Sequence, residues 1–151
     1  MRASSNPLSI DRPLEEVFAY ISNPANMGTW VSGVTDPVAI TSGPPQEGME
    51  FATKYHYNGV HEITYIVTDF ERPYRYGIKA TSGPFPFESL IVLEADGNGT
   101  RITNTIYAGA DGWITSIMFK TMGPILRKMM TKRQDKELIV LKALLEADAS
   151  A

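Results

Sequence analysis

Between residues 49 and 108 the side chains alternate with a period of two, and after Gly112 the period turns helical and stays so to about Asp148. Few folds accommodate a strand meander followed by one long terminal helix. Met49, Phe51, Thr53, Tyr55 and Tyr57 alternate with Glu50, Ala52, Lys54, His56 and Asn58. Asn58-Gly59 is a two-residue hairpin signal, and the return strand puts His61, Ile63, Tyr65 and Val67 on one side. Arg72-Pro73 turns the chain. Tyr74, Tyr76, Ile78 and Ala80 follow in alternation, then Phe87, Ser89, Ile91 and Leu93. Asp96-Gly97-Asn98-Gly99 is a second hairpin signal, leading to Ile102, Asn104, Ile106 and Ala108. Such a meander has one face to bury. A helix of roughly 35 residues spans about 50 Å, long enough to lie along the concave face of a curved sheet and leave a cavity between the two.

The first third of the chain fits that plan. Leu8-Ser9-Ile10 reads as the end of a short strand. Pro13 suits a first helical position, Glu15 and Glu16 suit the first turn, and Leu14, Val17, Phe18 and Ile21 form one apolar face. Asn23-Pro24 stops this helix and caps a second short one ending near Trp30. Val34 to Ile40 reads as a strand. The expected architecture is α+β: about six or seven antiparallel strands wrapped around the terminal helix, with two short helices after the first strand. In that helix Ile114, Met118, Met122, Ile125 and Met129 form one stripe, and Gly123-Pro124 is expected to kink or restart it. Leu126, Met130, Leu138, Leu141 and Leu145 keep an apolar face beyond.

Composition excludes several classes. With 151 residues, 43% hydrophobic and 21% charged, the chain is expected to form a single domain, 1–151, with a substantial core. A net charge of −3 offers no broad basic field, so no nucleic-acid partner is expected. The absence of cysteine excludes disulfides, thiolate chemistry and Cys-containing metal centres. No secretory h-region and no long apolar run are seen, so a cytoplasmic protein without a membrane span is expected. Glycine-rich phosphate loops, dinucleotide fingerprints and a nucleophilic-serine elbow are missing. His61-Glu62 begins like a zinc-binding helix motif, but position 65 is tyrosine and the segment reads as strand. No metal and no cofactor are expected.

Four stretches carry a resemblance. Ile10-Asp11-Arg12-Pro13-Leu14-Glu15-Glu16-Val17-Phe18-Ala19-Tyr20-Ile21-Ser22-Asn23-Pro24, followed by Trp30, resembles the opening of the polyketide cyclase/dehydrase-like branch of the START/Bet v 1 superfamily. Tyr65-x-Val67-x-x-Phe70-x-Arg72-Pro73 is similar to that family's central strand and turn. Gly99-Thr100-Arg101-Ile102-Thr103 is similar to its penultimate hairpin, and Leu138-x-x-Leu141-Lys142-x-x-Leu145-Glu146 to its closing helix. The resemblance implies a helix-grip fold with a deep cavity. It also implies a lipid, sterol, polyketide or other hydrophobic ligand and, in some members, cyclisation or dehydration of polyketides. These markers are structural and bring no universal catalytic motif.

The inward strand faces supply the site candidates. Trp30, Phe51, Tyr55, Tyr57, Phe87 and Ile106, with Met118, Met122 and Met129 from the helix, are the expected ligand contacts. His61, Tyr65, Tyr76 and Asn104 are the candidates for proton transfer or for orienting a ligand carbonyl or hydroxyl; Thr53 and Ser89 share their face. Each of these is also a plausible core residue, and His61 is expected near the rim. His56 falls on the opposite, outer face. Asp69 is the one inward carboxylate expected on the strands. Arg127, Lys128, Lys132, Arg133, Lys136 and Lys142, interleaved with Asp135, Glu137 and Glu146, read as a solvated helix face.

Three functions fit. One is a module that binds a hydrophobic small molecule (a polyketide, lipid or aromatic metabolite). Another is a polyketide cyclase/dehydrase-type enzyme, folding its substrate and moving protons through Tyr and His. The last is a co-chaperone-like protein-interaction module, which calls for a filled interior and a large exposed apolar patch. A monomer or a homodimer is compatible with the sequence.

Overall fold

The computed structural model describes residues 2–83, 86–108 and 113–149, with the side chains of 113–122 and 148–149 left aside. In chain order the elements are β1 (Arg2–Ser4), β2 (Leu8–Ile10), α1 (Leu14–Ile21), a 3₁₀ turn (Pro24–Asn26) and α2 (Met27–Trp30). Then follow β3 (Val34–Ala39), β4 (Glu50–His56), β5 (Val60–Glu71), β6 (Arg75–Ser82), β7 (Phe87–Asp96), β8 (Gly99–Ala108) and α3 (Trp113–Ala149). The strands form one antiparallel sheet in the order β1-β8-β7-β6-β5-β4-β3, with β2 also on β8. This is the helix-grip arrangement of Bet v 1-like proteins.

Eight strands stand where the periodicity gave about six or seven. The added one is β1, which sets Ala3 opposite Ile106 and Ser4 opposite Thr105. Three residues are too few to show a period. The helix secures this segment: Thr131 donates to the Ser4 carbonyl at 2.9 Å, the Asn6 backbone N–H and side-chain amide donate to Asp135 at 2.8 Å each, and Lys142 donates to the Ser9 carbonyl at 2.7 Å. Part of the face expected to be solvated is therefore an internal clamp.

The β4–β5 connection is three residues, 57–59, because His56 pairs with Val60. Asn58 and Gly59 both take positive φ, 48° and 106°, which those two residue types tolerate. Asp96 pairs with Gly99 across the expected two-residue turn. Gly99 is required by a close approach: a Cβ there would lie 2.6 Å from the Ile10 carbonyl oxygen, so β2 can seat on β8 only over a glycine.

On α1, Val17, Phe18 and Ile21 are buried as their spacing demands, while Pro13 sits at the N-cap, one residue earlier than expected. Phe18 meets Phe70 edge-on at 5.2 Å. α3 runs unbroken through Pro124 for 37 residues, rather than restarting there. Pro124 itself is exposed. Leu138, Leu141 and Leu145 pack with Ile10, Val17 and Phe18 into a solid core. Closer to the start of α3 the helix stands off the sheet, and that gap is the site.

Candidate functional site

The gap is a cavity of about 530 Å³, inside the usual range for small-molecule sites. Its walls come from three directions. The end of α1, α2 and the start of β3 contribute Trp30 and Val34, the inner sheet face contributes Phe51, Tyr65, Tyr76 and Ile106, and α3 contributes Leu126 and Met130. Sheet register explains the lining. Tyr76 pairs with Ile91 and Ile91 with Asn104, so the three stand in one row across β6, β7 and β8; Ile78, Ser89 and Ile106 form the next row.

Most expected contacts are on this wall: Trp30, Phe51, Tyr55, Tyr57, Phe87 and Ile106, and of the proposed proton-transfer set Tyr65, Tyr76 and Asn104. Tyr57 is 55% exposed and marks the mouth. Met118 and Met122 lie outside the residues whose side chains are described. Met129 is displaced from the expected role. It is 62% exposed, and its neighbour Met130 faces the cavity with Leu126. Successive helical residues point about 100° apart, so the one-position difference between Met129 and Met130 decides which of them faces the cavity. His61 is not on the wall: its Nε2–H donates to the Tyr57 carbonyl at 2.9 Å across the hairpin tip. Asp69 is not inward either. A register shift between Val67 and Asp69 changes the face, and the carboxylate accepts two bonds from Arg75, at 2.7 and 2.9 Å.

The polar groups on the wall differ in how far they are satisfied. Tyr65 stacks on Phe51 at 4.8 Å, and its hydroxyl shares a 3.0 Å bond with Thr53. Burial raises its pKa, with Thr53 opposing. The Tyr76 hydroxyl has no protein partner among the described residues, and burial alone raises its pKa further. It is a neutral phenol at physiological pH. Ser89 donates to Asn104 Oδ1 at 2.8 Å, leaving Asn104 Nδ2 as an unused donor among the described residues. Gln134 is 1% exposed. Its Nε2 donates to the carbonyls of Ala3 and Asn104 at 3.2 and 3.3 Å. Both partners are carbonyls, so the nitrogen must face them and the buried oxygen is left without a partner.

Arg133 and Glu137 are wall residues that sequence reading assigned to solvent, and Gln134 is one that it did not single out. Glu137 is only 5% exposed. Its Oε2 accepts the Ser32 backbone N–H at 2.6 Å. Burial raises the Glu137 pKa, while Ser32 and the Arg133 guanidinium pull it down. Arg133 donates to the Tyr55 hydroxyl at 2.5 Å and to the Ser32 carbonyl at 2.7 Å, with its Nε 3.7 Å from Glu137. The available signal was phase: positions 126, 130, 133, 134 and 137 follow one helical stripe toward Leu138 and Leu141.

The polyketide cyclase/dehydrase and lipid transport family model matches residues 2–146. The chain belongs to this family. No curated protein matches the chain. A Thermus thermophilus protein of known structure is 17% identical, covers 100% of both chains and has a TM-score of 0.76. One from Rhodobacter sphaeroides is 15% identical over 97% of this chain and 92% of its own, with a TM-score of 0.70. The structure of Ara h 8.0201 gives 12% identity, 93% and 97% coverage and a TM-score of 0.60. These likenesses concern the fold. For this member of the cyclase/dehydrase and lipid transport family, the cavity wall is mostly apolar and aromatic. Among the described residues no group of three or more acidic or histidine side chains is placed to hold a metal ion, and no helix is long and apolar enough to cross a membrane.

Proposed function

We propose that the chain is one ligand-binding domain, 1–151, that holds a hydrophobic small molecule between the inner sheet face and α3. The observation that carries this reading is the 530 Å³ cavity, lined by aromatic and aliphatic side chains from every inner strand. An apolar wall left facing water forfeits the burial of its surface, about 25 cal/mol per Å² of apolar area. A ligand offsets that loss. The family description, which includes lipid transport as well as cyclisation and dehydration, supports the same reading. The protein-interaction alternative calls for a filled interior and has less support.

A catalytic reading of the cyclase/dehydrase type is favoured by one observation, the buried Glu137 carboxylate on a wall that also carries the neutral Tyr76 phenol. Such a pair can exchange protons with an enolisable substrate held between them.

Native mass spectrometry of freshly purified protein, with solvent extraction, tests the binding reading. A bound apolar molecule is expected, and Ile106→Trp, which projects a larger side chain into the cavity, should weaken its retention. Unliganded protein with no thermal shift across aromatic, lipid and polyketide compounds would sink the proposal.

A further inference from the structure

Partner accounting on the cavity wall gives a specific imbalance. Tyr76 is 5% exposed and Asn104 6%, and each has an unused donor among the described residues. Gln134 Oε1 is a buried acceptor without a partner. A polar group left unmet when a ligand displaces the solvent around it costs about 1–3 kcal/mol, so two unused donors on one wall favour a ligand that supplies acceptors. Sheet register places Tyr76 and Asn104 in the same row with Ile91 between them, and the Asn104 carbonyl is bonded to Gln134. Two donors thus share one row of the wall. A ligand hydroxyl or carbonyl oxygen accepts from Tyr76 or Asn104.

Charge narrows the class further. Arg133, the cation on the wall among the described residues, gives two of its five N–H donors to the Tyr55 hydroxyl and the Ser32 carbonyl, and Glu137, 3.7 Å from its Nε, balances its charge. Glu137 accepts the Ser32 N–H on Oε2 and also interacts with the Ser32 side chain. A ligand carboxylate entering this cavity loses its water and meets Glu137 beside a guanidinium whose charge Glu137 already balances. Building on the ligand-binding reading, we propose that the cavity selects uncharged apolar molecules bearing a hydroxyl or carbonyl over the matching carboxylates, with Tyr76 and Asn104 making the polar contacts and Glu137 rejecting the anion.

Three molecules with one ring system separate the claims: naphthalene, 2-naphthol and 2-naphthoate, measured by equilibrium dialysis at pH 8, where naphthoate is ionised and naphthol is neutral. Naphthalene binding tests the cavity itself, and its failure in the wild type overturns the ligand-binding reading and this inference with it. Given naphthalene binding, 2-naphthol should bind about ten-fold tighter than 2-naphthoate. An apolar pocket alone gives some of that gap, so Glu137→Gln decides the matter. The gap should narrow several-fold in Glu137→Gln, while Tyr76→Phe should cut naphthol affinity and leave naphthalene unchanged. Naphthoate binding as tightly as naphthol, or an unchanged gap in Glu137→Gln, overturns the inference and leaves the cavity reading standing. Naphthoate binding that disappears in Arg133→Ala overturns it in favour of a cationic anchor.

Discussion

Glu137 and Ser32, 105 residues apart, join the helix to the chain that covers the cavity: the Ser32 N–H donates to Glu137 Oε2 at 2.6 Å. One turn earlier Arg133 takes the Ser32 carbonyl at 2.7 Å. Two side chains of one helix therefore satisfy both backbone groups of a residue between α2 and β3. Glu137→Ala removes the acceptor and leaves the Ser32 N–H without it. The expected cost is about 1–3 kcal/mol, read as a lower urea midpoint. Glu137→Gln, which keeps an acceptor oxygen, should cost less. Equal stabilities for wild type and Glu137→Ala would show that this bond contributes nothing.

The same carboxylate sets a pH dependence. Its folded pKa is raised, chiefly by burial, so the folded protein holds a proton that the unfolded chain has already released. Stability should fall as pH rises from the ordinary glutamate range, about 4.3, through the raised folded value, and then level off. Glu137→Gln has nothing to titrate there and should show a flatter profile over that window. Urea melts of both proteins at a series of pH values test this; parallel profiles would contradict it.

Tyr76 gives an alkaline counterpart. Its hydroxyl lacks a protein partner among the described residues, so Tyr76→Phe should be neutral or slightly stabilising at pH 7. Burial raises its folded pKa. Above the ordinary tyrosine value of about 10, the unfolded chain loses this proton first and wild-type stability falls with pH. Tyr76→Phe should lose less stability in that range. A large loss of stability at pH 7 would mean that the hydroxyl has a structural role after all.

What the sequence made legible follows from where periodicity is strong. Phe51, Tyr65, Tyr76 and Asn104 stand on the inner face because strands of seven to twelve residues leave no doubt about phase. Phase fails at irregularities. The register shift beside Thr68 turns Asp69 outward, and no composition rule marks a bulge within a run of β-branched residues. Charged residues on the helix misled for a different reason. Arg133 and Glu137 are four apart, like any solvated ion pair, and only their phase against Leu126 and Met130 separates them from Lys132 and Lys136. β1 was too short to register at all.

That phase argument yields its own test on adjacent methionines. Met129 is 62% exposed and Met130 lines the cavity. Met129→Lys puts a charge into water and should change stability by less than about 0.5 kcal/mol, with naphthalene affinity unchanged. Met130→Lys places an ammonium group against an apolar wall. It should lower thermal stability and weaken naphthalene binding by about ten-fold or more, since burying an unpaired charge costs several kcal/mol. Lysine can partly escape by extending its stem toward the mouth near Tyr57, so Met130→Asp, with its short side chain, should be the more damaging of the two. Thermal melts and equilibrium dialysis on the four proteins decide it. If Met129→Lys were the disruptive change, the helix would be rotated by one residue from the arrangement described, and the assignment of Arg133, Gln134 and Glu137 to the cavity wall would fall with it.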